Sequence, residues 1–144
     1  MKHGEKSQVK ARAAADPAGS RLAVVTRQID KLTFDPINPR IHTPRQVGQI
    51  ARSIEAFGFN VPVLIDAQDR VIAGHGRLLA AQKLDWREVP TITLAHLTER
   101  QRRAFQIADN RLTENASWDK PLLGAQLKAL AEVNLAGCGK TRVE

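Results

Sequence analysis

Residues 71–84 read VIAGHGRLLAAQKL. The opening Val-Ile-Ala is apolar and partly β-branched, as a buried strand requires. The closing Leu-Leu-Ala-Ala-Gln-Lys-Leu is made of strong helix formers and reads as a short helix ending near Asp85. Between them stands Gly74-His75-Gly76-Arg77, a strand-to-helix turn. The first turn of a helix has free backbone N–H groups and a partial positive charge. Gly74 and Gly76 lack the Cβ that would block a close ligand. Arg77 adds a forked cation, and His75 is placed to donate a hydrogen bond or to act as an acid or base near neutral pH. Together they suit a phosphate. The plain alternative is a tight turn with Arg77 facing water.

Outward from this stretch, the chain alternates short strands and helices. Arg21–Leu32 is partly β-branched and reads as one or two short strands. Asp35–Arg40 carries two prolines, which impose an irregular extended loop. A helix then starts with Thr43 as N-cap, Pro44 at the first helical position and Gln46 completing a capping box. Val47, Ile50, Ala51, Ile54 and Phe57 recur at helical spacing, and Gly58 is placed to end the helix in a left-handed conformation. Residues 61–66 and 70–74 read as a strand pair around the turn Ala67–Asp69. Residues 88–94 form another strand. Thr98 and Gln101 repeat the capping-box spacing and open a helix through about Leu112, with Phe105, Ala108 and Leu112 marking its buried side. Asp119 and Pro121 start a last amphipathic helix to about residue 133, with Leu122, Leu123, Leu127 and Leu130 inward. The expected organisation is a basic arm over 1–21, one domain over 22–119, the helix over 120–133 and an irregular tail over 134–144. Few short strands mixed with helices imply a compact α+β domain with a small mixed sheet.

Composition narrows the function classes. The 144 residues suffice for one domain, and hydrophobic residues at 42% suffice for its core. Aromatics are only 4%, so that core is aliphatic. The single cysteine, Cys138, excludes an internal disulfide framework and a multi-cysteine metal site. No apolar run reaches membrane-spanning length and no signal-peptide core is evident, so a cytoplasmic location is expected. Lys and Arg outnumber Asp and Glu by 22 to 15. The arm and tail hold much of this excess, so a polyanion partner is compatible with the charge but no single basic face follows.

Several side chains outside the glycine turn bear on chemistry. Arg40 lies in a rigid Asn-Pro-Arg loop, a poor place for a merely solvated side chain. Asp109, Asn110 and Arg111 adjoin near a helix end, and Asp109 suits a hydrated Mg²⁺ held against phosphates, with a surface or capping role as the alternative. His75, Asp109 and Glu114 are the candidate catalytic groups. Arg100, Arg102 and Arg103 form a basic cluster of the kind that is usually a solvated face, with contact to nucleic-acid phosphates as the alternative. The four histidines lack H-E-x-x-H spacing, which argues against a zinc hydrolase. Gly137–Thr141 has the ending of a P-loop, but Asn134 replaces its first glycine and no helix can follow.

The ordered series NPR (38–40), QIARSIEAFGFNVPVLID (49–66), VIAGHGRLLAAQKLDWREVP (71–90), LTERQRRAFQIADNRL (97–112) and NASWD (115–119) resembles the ParB N-terminal, or ParB/sulfiredoxin-like, domain. The resemblance implies a nucleotide-binding fold that takes a nucleoside triphosphate, CTP or ATP, with Mg²⁺. The family's Gly-Glu-Arg-Arg phosphate motif falls here on the Gly74-His75-Gly76-Arg77 turn, with Ala80 beyond it. Arg40 matches the arginine of the upstream box, and Asp109-Asn110 resembles the Glu-Asn pair on the phosphate side. His75-Gly76 stands in place of Glu-Arg, which removes a charge pair. Gly74 stands where sulfiredoxin needs its cysteine, so the resemblance does not imply sulfinic-acid reduction. It implies a module of bacterial or phage DNA transactions, such as partition or DNA modification, with non-specific DNA contacts. Its His-Gly variant is most similar to modules fused to DNA methyltransferases, which makes such an enzyme an expected partner. Nuclease or NTPase activity, and a non-catalytic DNA-binding adaptor, are the alternative functions.

Overall fold

The computed structural model describes residues 22–130, so the expectations for residues 1–21 and 131–144 lie outside the described residues. Four strands, β1 (Val24–Gln28), β2 (Val63–Ile65), β3 (Val71–Ala73) and β4 (Glu88–Thr93), form one sheet in the order β1-β4-β2-β3. β1 and β4 are antiparallel, β4 and β2 parallel, and β2 and β3 an antiparallel hairpin. With helices α1 (Pro44–Phe57), α2 (His75–Lys83), α3 (Glu99–Glu114) and α4 (Lys120–Ala129), this is the expected α+β architecture with a mixed sheet.

Apolar burial explains the centre. Val63, Ile65 and Val71 from the hairpin meet Leu78 and Ala81 of α2, all at 0% exposure, with Val89, Ile29 and Leu32 closing the cluster. Full burial of each large aliphatic side chain is worth about 1.5–3 kcal/mol. Ala51 and Ile54 of α1 pack on Ala80 of α2, where small residues let the two helices approach closely. Pro90 is a strand residue with no N–H, opposite Thr26. The neighbouring Thr91 hydroxyl donates to the Val25 carbonyl at 2.7 Å and adds a polar tie between β4 and β1.

Local signals place most boundaries. Thr43 accepts from the Gln46 N–H at 3.2 Å, one half of the expected box. At Thr98 both halves form, with Gln101 closing onto the Thr98 N–H at 2.9 Å. Asp119 caps α4 through the Leu122 N–H. Within residues 22–32 the chain forms the single strand β1 and a 3₁₀ turn over Ile29–Lys31. Gly58 does take a positive φ of 90°, but with ψ of 171° it leaves α1 in extended rather than left-handed helical geometry.

Three expectations are corrected. α2 begins at His75, so Gly74 alone makes the turn and His75-Gly76-Arg77 is the first helical turn. The buried side of α3 consists of Arg102 and Gln106, while Phe105 is half-buried, Ala108 exposed and Leu112 71% exposed. The reason is electrostatic. Arg102 donates to Asp35 at 2.9 Å and to Glu99 at 2.7 Å and lies 3.8 Å from Asp66, so a fully engaged guanidinium outweighs an apolar stripe. Finally, no residue of α4 is buried: Leu123 and Leu127 are half-buried, and Leu122 and Leu130 are exposed.

Candidate functional site

The glycine turn opens onto a cleft of about 240 Å³ between the Asp35–Arg40 loop, the start of α1, the start of α2 and the inner side of α3. Gly74 is its pivot. It has φ 97° and ψ 20°, a conformation L side chains rarely adopt, and a Cβ there would lie 3.3 Å from the Val63 Cα. Its carbonyl accepts the Leu78 N–H at 2.9 Å, and no side chain caps the N–H groups of His75, Gly76 and Arg77.

Gly76 has a different reason from the expected one. A Cβ there would sit 2.9 Å from the His42 ring and 3.0 Å from Ile50 Cδ1. The missing side chain makes room for a histidine of the neighbouring loop rather than directly for a ligand. Gly76→Ala is therefore expected to lose about 1–3 kcal/mol by overpacking. Urea denaturation reads the loss, and an unchanged midpoint would show that His42 yields freely.

Two arginines supply the positive charge. Arg40 donates to the Asn110 side-chain oxygen at 3.0 Å and so ties the proline loop to α3. Arg77 donates to the Pro62 carbonyl at 3.3 Å, while its Nε is buried with no partner. Burial holds the Arg77 guanidinium below its ordinary pKa; Asp109 acts against that shift, and Arg40 adds to it.

Two histidines complete the wall. His75 is buried, with Phe34 tilted against it at a centroid distance of 6.0 Å. Burial, reinforced by His42 and opposed by Asp35, pushes its pKa down to about 4, so it is neutral at neutral pH. His42 is lowered as well, by burial and by Arg40, with Gln46 acting the other way. Asp35 is held below the ordinary carboxylate range. Burial pushes it up, but bonds from Arg102, the Ile37 N–H and Gln106 outweigh burial.

The structure thus gathers Arg40, Gly74, His75, Gly76, Arg77, Asp109 and Asn110 around one cleft. It leaves out Arg111 and Glu114, which face solvent and pair with each other at 3.7 Å. Two positions beyond Asp109 the α-helix has turned about half way round, so Thr113, four positions on, rather than Arg111 shares the cleft. Of the basic cluster, Arg102 is 3% exposed and committed to Asp35 and Glu99, so it has no free edge for a nucleic-acid phosphate. Arg103 is exposed beside Glu99 at 3.3 Å, and Arg100 is exposed. Sequence reasoning missed His42 and Gln106. The only cue for His42 was its position just past the rigid Asn-Pro-Arg loop. For Gln106 it was helical spacing from Arg102.

The chain belongs to the ParB N-terminal domain family, whose model matches residues 13–111. It is 42% identical over 83 residues to the ParB-like nuclease domain-containing protein YnaK of Escherichia coli K12, covering 58% of this chain and 95% of that protein. It is 29% identical over 93 residues to the nucleoid occlusion protein of Lysinibacillus sphaericus, covering 58% of this chain and 31% of that protein. Among solved structures, C-terminally truncated Caulobacter crescentus ParB complexed with CTP-γ-S superposes with a TM-score of 0.66 at 22% identity, over 76% of this chain and 63% of that one. The same truncated ParB complexed to the centromeric parS site gives 0.52 at 21% identity, over 75% and 57%. The likeness to both structures is one of fold, and the chain spans less than two thirds of either.

Proposed function

We propose that the chain is a nucleotide-binding module that holds the phosphates of a nucleoside triphosphate, CTP or ATP, at the first turn of α2. One observation carries the proposal: Arg77 Nε, His75 Nε2 and His42 Nδ1 are buried without partners around a single cleft. Unpaired buried polar groups cost stability, and an oxygen-rich guest relieves that cost. The N–H groups of the first α2 turn bind phosphate oxygens, Arg77 and Arg40 neutralise them, and Asn110 positions Arg40. The family relationship and the fold shared with a ParB complexed with CTP-γ-S support the same site.

The donor set also fits Mg²⁺. Among the described residues no group of three or more His, Cys, Asp or Glu gathers. Mg²⁺ commonly keeps its waters and needs only one or two carboxylates beside phosphates, a place Asp109 fills. When bound, the ion neutralises phosphate charge. Asp109, which lines the same cleft as Arg40 and Arg77, would be the carboxylate that holds it. His75, Asp109 and Glu114 do not converge as an acid–base set, because Glu114 points away with Arg111. Binding is therefore the better-supported role, ahead of nuclease or NTPase chemistry. In this reading the module serves bacterial or phage DNA transactions, with the exposed Arg100 and Arg103 offering weak, salt-sensitive contacts to DNA phosphates.

The test is thermal unfolding of wild type and Arg77→Ala with CTP, ATP, GTP or no nucleotide, all with Mg²⁺. A ligand bound only by the folded state at one hundred times its Kd adds about 2.7 kcal/mol. A rise in Tm with one nucleotide, lost in Arg77→Ala, is expected and names the base. No rise with any nucleotide in a well-folded wild type would refute the site.

A further inference from the structure

We infer that His42 and His75 are ligand-binding residues of the cleft and that they take up protons as a phosphate polyanion enters, so that nucleotide binding tightens in mild acid. This rests on the nucleotide reading above and adds its regulation. The two rings come from separate elements. His75 is the first residue of α2, and His42 reaches over from the loop ahead of α1 to lie against Gly76. Each has one ring nitrogen buried and unpartnered, and both rings line the cleft.

The charges facing them are few. Arg40 comes from the proline loop, Arg77 from α2 and Asp109 from α3. Asp35 is also near His75, but its carboxylate is engaged by Arg102 and Gln106 at 2.9 and 3.2 Å. With neutral imidazoles the cleft therefore offers two cations against one free carboxylate. A triphosphate brings more negative charge than this balances. It also supplies what each imidazolium lacks in the free protein, an anionic acceptor that offsets burial and the neighbouring arginines. A neutral ring has one donor and one acceptor, whereas the imidazolium has two donors, which suit phosphate oxygens. The depressed pKa values of both rings in the ligand-free protein agree with this placement. Linkage makes the effect reciprocal: an anion that favours protonation is itself favoured by protons.

The experiment is isothermal titration of the favoured nucleotide with Mg²⁺ into wild type and the double variant His42→Gln/His75→Gln, at pH 8 and pH 6. Each pH is run in two buffers of different ionisation heat. A ring that takes up one proton on binding at pH 6 and none at pH 8 tightens binding about tenfold between these pH values. That gain, beyond the pH effect the variant shares through the ligand's own phosphate, is the expected result, together with net proton uptake by wild type. Because the variant alters buried side chains, ring-proton NMR titration of wild type gives a second reading: two histidine pKa values rise on adding nucleotide. Equal pH dependence in both proteins, or ring pKa values that do not move, overturns the inference while leaving the nucleotide site intact. No heat with any nucleotide at either pH overturns both.

Discussion

Arg102→Met is expected to cost about 3–5 kcal/mol, the usual penalty for stripping one partner from a buried ion pair. Arg102 and Asp35 side chains are 3% and 5% exposed, and their bond at 2.9 Å joins α3 to the loop that carries Arg40. Methionine replaces much of the packing volume but leaves Asp35 with only the Gln106 amide and the Ile37 N–H. The pH dependence follows from the sign of the shift. Asp35 has a depressed pKa in the folded wild type, so its contribution is complete above the unfolded value near 3.8 and is lost as pH falls through the folded value. Without Arg102, burial dominates and raises the Asp35 pKa, so the deficit is largest near neutral pH and shrinks in acid. Urea denaturation at pH 7 and pH 4 reads both effects. Arg102→Met with Asp35→Leu recovers most of the loss, because no lone buried charge remains. A single variant as stable as wild type would mean that the ionic cluster holds nothing in place.

Leu78→Ala is expected to cost about 2–5 kcal/mol by emptying a site at 0% exposure beneath the first turn of α2. The effect extends to the cleft, because Leu78 follows Arg77 directly and its N–H is bonded to the Gly74 carbonyl. Loosening that anchor lets the first turn shift, and the thermal response to nucleotide weakens even where the variant is mostly folded. Leu112→Ala is the control. That side chain is 71% exposed, and its removal changes stability by no more than about 0.5 kcal/mol. A Leu78→Ala loss as small as the control would show that α2 is held by its other contacts.

The sequence made legible whatever depends on neighbours in the chain. Thr43, Thr98 and Asp119 cap helices because a cap is settled within four residues. The hairpin over 63–73 followed from β-branched residues around a polar turn. Gly74, Arg77, Arg40 and Asp109 were brought to one cleft as the motif order implied. The inner side of α3 was misread because periodicity assigns apolar residues inward. The deciding partner of Arg102 is Asp35, 67 residues away, which no local pattern carries. The leucines of α4 were misread for a related reason: an amphipathic pattern offers a face to bury, yet the described residues bury none of it. Arg111 was misplaced more simply. It adjoins Asn110 in sequence but not in space, because successive helical residues point about 100° apart.

The central place of β4 has a consequence for how the domain is built during synthesis. β1 is made first, yet it borders only β4, and the Thr91 hydroxyl that bonds the Val25 carbonyl lies 66 residues further on. β2 and β3 can close as a hairpin as soon as their turn leaves the ribosome, with α1 and α2 available beside them. β1 must wait, unpaired, until β4 arrives and inserts between it and β2. The loop closed at that moment is long, and its entropy is met before the sheet repays it. Completion of the sheet is thus a late event, governed by residues 88–93, and a nascent chain ending before them holds the Gly74–Arg77 turn without the strand that joins β1 to the rest.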